Sequence, residues 1–226
     1  LAKLLIGKTA RGRFGPGTVY YRKQGEKRAW KASGDLSIDA NATDWLEKSL
    51  VDIRKTRVRA FAVSSKGGET VAAARPKPGA ALKLTTDPLP EGMQPKSDGT
   101  ISALAGALDK LELEDVRDAA KIDWKEKTVA TAEIRTYDGI VVTARVAEVK
   151  KDEFWVGFTA AYDAAGAIAP KGKAHEKMEI KTEAEAKKQI AAFQARVKGR
   201  AFKLPATPLS HLRIQLKDLL DKKKTS

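Results

Sequence analysis

Residues 128–160 read TVATAEIRTYDGIVVTARVAEVKKDEFWVGFTA, and this stretch decides the fold. Ala130, Ala132 and Ile134 alternate with polar residues, which gives an extended chain one apolar face. Asp138-Gly139 then supplies the strongest hairpin signal in the chain, since a two-residue turn needs positive φ and these residues reach it most cheaply. Ile140 to Val149 runs back, Lys150 to Asp152 turns, and Phe154 to Ala160 alternates again. Strands joined by such short turns are antiparallel, because a parallel pair needs a long crossover. After a loop, Thr182-x-x-Glu185 has the form of a capping box. It opens a helix with Ala186, Ile190, Phe193 and Val197 on one face, and Gly199 suits the residue just past its end. Ala201 to Leu204 reads as a returning strand, Pro205 marks a corner, and an amphipathic helix running towards Leu220 closes the chain.

The same meander-then-helix order recurs upstream. Leu4 to Gly7, Thr18 to Lys23 and Arg28 to Ser33 read as strands, and Asp44-Trp45-Leu46-Glu47 resembles a capping box that opens a short helix to Leu50. Val58 to Ser64 returns as a strand and also begins the second unit. Gly67-Gly68 turns, and Thr70 to Ala74 and Leu82 to Thr85 follow. A loop with Pro88, Pro90 and Pro95 leads to a helix capped by Thr100 and carrying Ile101, Leu104, Leu108 and Leu111, with Leu113 to Ala119 leading out. The expected fold class is α+β: antiparallel strand meanders each followed by a helix, a unit met three times, with helices packed on sheet faces. Two modules are expected, residues 1–120 with two such units and residues 121–226 with the third and the closing segment.

Composition narrows the function classes. The formal charge of +14 is uneven: Leu1 to Lys31 holds nine Lys or Arg against Glu26 alone, and Ala186 to Lys203 holds six against no acid. Such a surface favours polyanions, or merely keeps the chain soluble. Nucleic acid is not expected, because neither an aromatic platform motif nor a tight helix pair is present. No run approaches the eighteen or so apolar residues of a membrane span. The absence of cysteine suits an extracytoplasmic bacterial protein and equally many cytosolic ones, and the opening at Leu1 suits a fragment or processed product, so a missing anchor says nothing about the parent.

Reactive constellations are sparse. Gly12-Arg13-Phe14-Gly15-Pro16-Gly17 is followed by a strand, not the helix that a phosphate loop requires, so it reads as a hairpin connection. His175-Glu176-Lys177-Met178-Glu179 lacks the second histidine of a zinc helix, and His211 stands alone in the closing helix. Glu112, Glu114, Asp115 and Asp118 cluster beside Arg117 and Lys121, a charge-balanced connection; a hydrolase using Glu114 or Asp115 is the weaker reading. Trp30, Trp45, Trp124 and Trp155 are dispersed and read as packing anchors. Lys222 to Lys224 read as a solubilising tail. The best candidate anion or partner site is Arg54, Lys55, Arg57 and Arg59, where Arg57 and Arg59 would share a strand face and aim two guanidinium groups at phosphate or carboxylate. No cofactor, metal or catalytic residue is expected.

Val19-Tyr20-Tyr21-Arg22, Ala29-Trp30, and Ala42-Thr43-Asp44-Trp45-Leu46 leading to Leu50-Val51-Asp52-Ile53 carry a resemblance. So do Leu111-Glu112-Leu113-Glu114-Asp115-Val116, Lys198-Gly199-Arg200-Ala201-Phe202-Lys203-Leu204-Pro205 and Leu216-Lys217-Asp218-Leu219-Leu220. Together they resemble the uncharacterised bacterial family numbered four-three-four-zero among domains of unknown function. Trp45, Leu46, Asp115, Val116, Lys203, Leu204 and Pro205 are the family-like structural residues; Arg200 stands where the family often has tryptophan. The resemblance implies an extracytoplasmic domain behind one membrane helix, encoded beside gliding-motility-type ABC transporter subunits, and it brings no catalytic residues.

The expected function is therefore a non-catalytic, periplasmic accessory or binding domain, tethered to the inner membrane by a segment outside this chain. Its expected partner is an ABC transporter permease or auxiliary subunit. The alternative is a binding module for anionic lipid or glycan of the cell envelope.

Overall fold

The computed structural model describes residues 3–10, 16–34, 46–168 and 177–223. The chain divides between Leu46 and Glu47 into two compact units. In the first, β1 (Leu4–Ala10), β2 (Thr18–Lys23) and β3 (Trp30–Ser33) form an antiparallel sheet in that order. The register sets Ile6, Tyr21 and Trp30 side by side, so one face carries a row of large apolar groups. A bulge interrupts β1 between Ile6 and Thr9.

The second unit is built on an eight-stranded antiparallel sheet of order β10-β14-β13-β12-β11-β5-β6-β7. Its strands are β5 (Val58–Ser65), β6 (Thr70–Ala74), β7 (Lys83–Leu84), β10 (Asp115–Asp118), β11 (Thr128–Thr136), β12 (Ile140–Lys150), β13 (Glu153–Tyr162) and β14 (Arg200–Lys203). Two small pairs flank it: β4 (Ser49–Val51) with β9 (Leu111–Glu112), and β8 (Met93–Pro95) with β15 (Leu220–Lys222). Alternation fixes the faces. One cross-strand row runs Val71, Val63, Ala132, Ala144, Phe158, all buried; the next residue along gives Ala62, Glu133, Thr143, Thr159 on the opposite face.

Helices cover the apolar face. Among them α3 (Glu183–Val197) lies on β13 and sets Phe193 edge-on to Phe158 at 5.8 Å between ring centres. Its capping box is complete: the Thr182 hydroxyl accepts from the Glu185 N–H, and the Glu185 carboxylate accepts from the Thr182 N–H at 2.9 Å. Ala186, Ile190, Phe193 and Val197 are its buried stripe, and Gly199 follows at φ 71°. Further along, α4 (Ala206–Leu212) and the 3-10 turn Leu104–Leu108 bury Leu212, Leu104 and Leu108 together. The shorter α1 (Asp98–Ala103) is capped by Ser97, and α2 (Trp124–Lys127) by Asp123.

The class is α+β with antiparallel sheets, but several details differ from expectation. The meanders do not stand as three separate strand–helix units: β5 pairs with both β6 and β11, so strands from either side of the boundary expected at 120/121 share one sheet, and the observed division falls at Leu46/Glu47. No helix spans Leu46–Leu50; Leu50 and Val51 are buried, and Ser49–Val51 pairs with Leu111–Glu112. Asp44 and Trp45 lie outside the described residues. The helix expected through Leu111 stops at Ala103 and tightens to a 3-10 turn, because Gly99 and Gly106 weaken it and Leu111 is drawn into β9. The closing helix is likewise short, followed by a 3-10 turn at Leu216–Leu219 and by β15.

Candidate functional site

The four cations at residues 54–59 do not form a cradle of parallel guanidinium groups. Arg57 precedes β5 and is only 2% exposed. Its Nη2 lies 2.7 Å from the Asp138 carboxylate and its Nε donates to the same oxygen at 2.9 Å. Asp138 is equally buried, and it also accepts from the Lys181 N–H at 3.0 Å and the Thr136 hydroxyl at 2.6 Å. The Gln189 side chain on α3 completes the arrangement: its oxygen accepts from both Arg57 Nη atoms, and its nitrogen donates to the Asp52 carbonyl at 3.0 Å. A buried carboxylate must be met by a cation and hydrogen-bond donors, which is why Arg57 turns inward. The turn residue Asp138 thus ties the β11–β12 hairpin to α3 and to the entrance of β5.

The other three cations are dispersed around this pair. Exposed Arg54 meets Glu179 at 3.0 Å. Lys55 donates its backbone N–H to Asp109 at 3.4 Å and offers its carbonyl to Arg75. Arg59 sits on β5 with a buried Nε that lacks a hydrogen-bond partner among the described residues. A cleft of about 500 Å³ opens over Arg54, Arg57, Lys181 and Lys188, but Asp52, Glu179 and Glu185 line it too, so its charge is mixed.

The family-like residues come together in part. Asp115 pairs with Lys203 and Val116 with Phe202 where β10 meets β14; Leu204 is buried, and Pro205 precedes the first turn of α4. Leu46 is half-buried, and Trp45 lies outside the described residues. The acids Glu112, Glu114, Asp115 and Asp118 are spread along β9 and β10; Asp118 caps the Ala120 N–H at 2.9 Å. Among the described residues, no three His, Cys, Asp or Glu side chains gather as a metal cage. His211 is half-buried in α4 with its Nδ1 unpartnered, and burial holds its pKa below the usual histidine value. His175 and Gly12 to Gly15 lie outside the described residues.

Two tryptophans do meet. Trp155 packs with Ile122, Ala147 and Ala201, and Trp124 lies against the same cluster. Trp124 donates its indole N–H to the Ala119 carbonyl at 3.0 Å and lies over Gly157, where an added Cβ would come within 2.9 Å of the ring. A glycine inside the alternating run Phe154–Ala160 is the sequence signal for such a close approach. Trp155 donates to Glu153 at 2.8 Å, and this hydrogen bond is the leading cause holding the Glu153 carboxyl below its usual range.

In the first unit, Leu4, Leu5, Ile6, Tyr20 and Trp30 are all between 38% and 49% exposed, and alternation puts Leu4, Ile6 and Trp30 on one face with Leu5 and Tyr20 on the other. A shallow cleft of about 260 Å³ is lined by Leu5, Ile6, Tyr20, Tyr21, Arg22 and Ala29, and the Arg28 guanidinium lies 4.4 Å from the centre of the Trp30 ring. Large apolar groups clustered on the surface mark contact sites in soluble proteins. This patch lay hidden in the sequence behind the lysines and arginines that interleave it.

The family model described as Domain of unknown function (DUF4340) matches residues 1–136, which take in the first unit and the second as far as the end of β11. No curated protein and no solved structure matches the chain.

Proposed function

The chain belongs to the DUF4340 family, and from that premise we propose that it is a non-catalytic, extracytoplasmic accessory domain of a membrane-anchored protein serving an ABC-type transporter. It acts by contact with a permease or auxiliary subunit at the periplasmic face of the inner membrane. The observation that carries the contact role is the apolar row of the first unit, in which exposed Ile6 and Trp30 flank half-buried Tyr21 and the Arg28 guanidinium lies over the Trp30 ring. Aromatic groups ringed by arginine are the side chains that dominate the energy of protein interfaces.

The test uses the full-length protein in its native host, with a photo-crosslinking amino acid at Trp30. A membrane-fraction crosslink to a transporter subunit is expected, reduced by Ile6→Asp. Recovery of the protein as soluble cytosol, with no transporter subunit attached, overturns the reading.

A second reading, binding of anionic lipid or an envelope polymer, is favoured by the nine cations against one acid in Leu1 to Lys31. It expects flotation with vesicles containing phosphatidylglycerol and release by salt. Flotation that is absent, or indifferent to salt, removes it.

A further inference from the structure

The eight-stranded sheet of the second unit is split along one seam. β14 pairs with β13 only at Val156 and Phe202. Beyond that pair the strands part, so from Gly157 to Thr159 the strand β13 has β12 on one side and a cleft on the other. The cleft holds about 350 Å³, enough for a small ligand. Trp124 and Phe158 give it apolar walls, Thr143 and Thr159 supply hydroxyls, and Arg145, Lys198 and Arg200 stand around it. No carboxylate is among the described residues that line it.

The ordinary tasks of these cations are only partly engaged. The Arg145 guanidinium and the Lys198 ammonium make no hydrogen bond or ion pair with any described residue. Arg200 donates one Nη to the Arg196 carbonyl at 3.0 Å, which leaves the rest of its fork open. The carbonyl end of α3 points towards this region and would repel an anion. It is capped, however, by the Lys198 N–H on the Gln194 carbonyl at 2.9 Å and by that Arg200 bond. Uncompensated cations of one sign beside low-dielectric walls focus a positive potential into the opening.

We propose that this cleft binds a phosphate- or carboxylate-bearing group on a compact carrier, the anion meeting Arg145, Lys198 and Arg200 and the carrier lying against Trp124. The site belongs to the second unit and does not depend on the transporter reading.

The test titrates the whole chain with glycerol 3-phosphate, glucuronate and neutral glucose, reading tryptophan fluorescence and calorimetric heat. Saturable, salt-sensitive binding of at least one anionic probe is expected, with glucose at least tenfold weaker. Arg145→Ala is expected to weaken the anion at least tenfold while leaving the fold intact, since its exposed side chain makes no hydrogen bond or ion pair with a described residue; Arg54→Ala, in the mixed-charge cleft, leaves binding unchanged. Vesicles of phosphatidylglycerol distinguish the sources: competition by vesicles supports a lipid headgroup, and its absence supports a soluble anion. The proposal is overturned if no anionic probe saturates by about 10 mM, a Kd that corresponds to barely 3 kcal/mol. Equal binding of glucose, or an Arg145→Ala variant that binds as well as the parent, overturns it too.

Discussion

Replacing Asp138 with asparagine keeps the shape, removes one charge of the buried pair and turns one of its two accepting oxygens into an NH2 donor. The Arg57 and Asp138 side chains are 3% and 0% exposed and lie 2.7 Å apart. Removing one partner of such a pair leaves an uncompensated buried charge, at a cost of about 3–5 kcal/mol. For a unit the size of Glu47–Ser226, each kcal/mol shifts the midpoint by about 2–4 °C, so Asp138→Asn should lower Tm by roughly 6–20 °C. Arg57→Met should do the same from the other side. The double variant removes both charges; the asparagine oxygen can still accept from the Lys181 N–H while its NH2 donates to the Thr136 oxygen, whose own hydrogen can turn to the Ile140 carbonyl, so it should recover about 2 kcal/mol or more relative to additivity. Urea and thermal unfolding, followed by tryptophan fluorescence and far-UV circular dichroism, measure all four corners of the cycle. A single variant within about 1 kcal/mol of the parent, or a cycle additive within about 0.5 kcal/mol, would refute the keystone role given to this pair.

Three further outcomes can be checked with the same measurements. Thr182→Ala removes the cap of α3 and should cost about 0.5–2 kcal/mol; a neutral result means that packing alone starts the helix. The Glu185 carboxyl is held below its usual range first by the Thr182 backbone N–H and then by its hydroxyl. Its contribution is present above the ordinary glutamate pKa and fades as pH falls through the lower folded value; Thr182→Ala keeps the backbone N–H and loses the hydroxyl, so it should shallow the acid limb of the stability profile without abolishing it. His211, whose pKa burial lowers, binds its proton more readily in the unfolded chain. Stability should therefore drop as pH falls from about 6.5 towards the lower folded value, and parallel pH profiles for the parent and His211→Leu would reject this. Gly157→Ala would drive a methyl to within 2.9 Å of Trp124 Cη2. It should cost about 1–3 kcal/mol and red-shift the emission, and an unchanged spectrum would show that the ring does not rest on the strand.

Local signals were legible in the sequence and non-local ones were not. The Thr182–Glu185 box, the stripe Ala186, Ile190, Phe193 and Val197, and the strand Thr70–Ala74 all rest on neighbours within a few residues, and all stand as read. The strand Ser49–Val51 was hidden because its partner, Leu111–Glu112, lies far along the chain, while the local pattern mimicked a capped helix. Arg57 was misread for the same reason: Asp138 announced a hairpin, and nothing nearby told that its carboxylate would be sealed off and need a distant cation. Gly157 was passed over inside the run Phe154–Ala160, although a glycine within a strand is the local signal for a close approach such as that of Trp124. The apolar row Ile6, Tyr21, Trp30 depends on register between strands, which spacing along one strand does not contain.

The long reach of the outer strand pairs has a consequence for biosynthesis. Asp115–Asp118 leaves the ribosome well before Arg200–Lys203, the strand it zips to, and Met93–Pro95 must await Leu220–Lys222. At about 5–20 residues per second, the earlier strand of each couple stays bare for roughly 4–25 s. The first unit, by contrast, closes its three strands almost as soon as they emerge. Premature termination between Asp118 and Gly199 would therefore yield a chain with a finished first unit and a second unit carrying raw, sticky strand margins, which quality-control proteases should clear faster than the completed product.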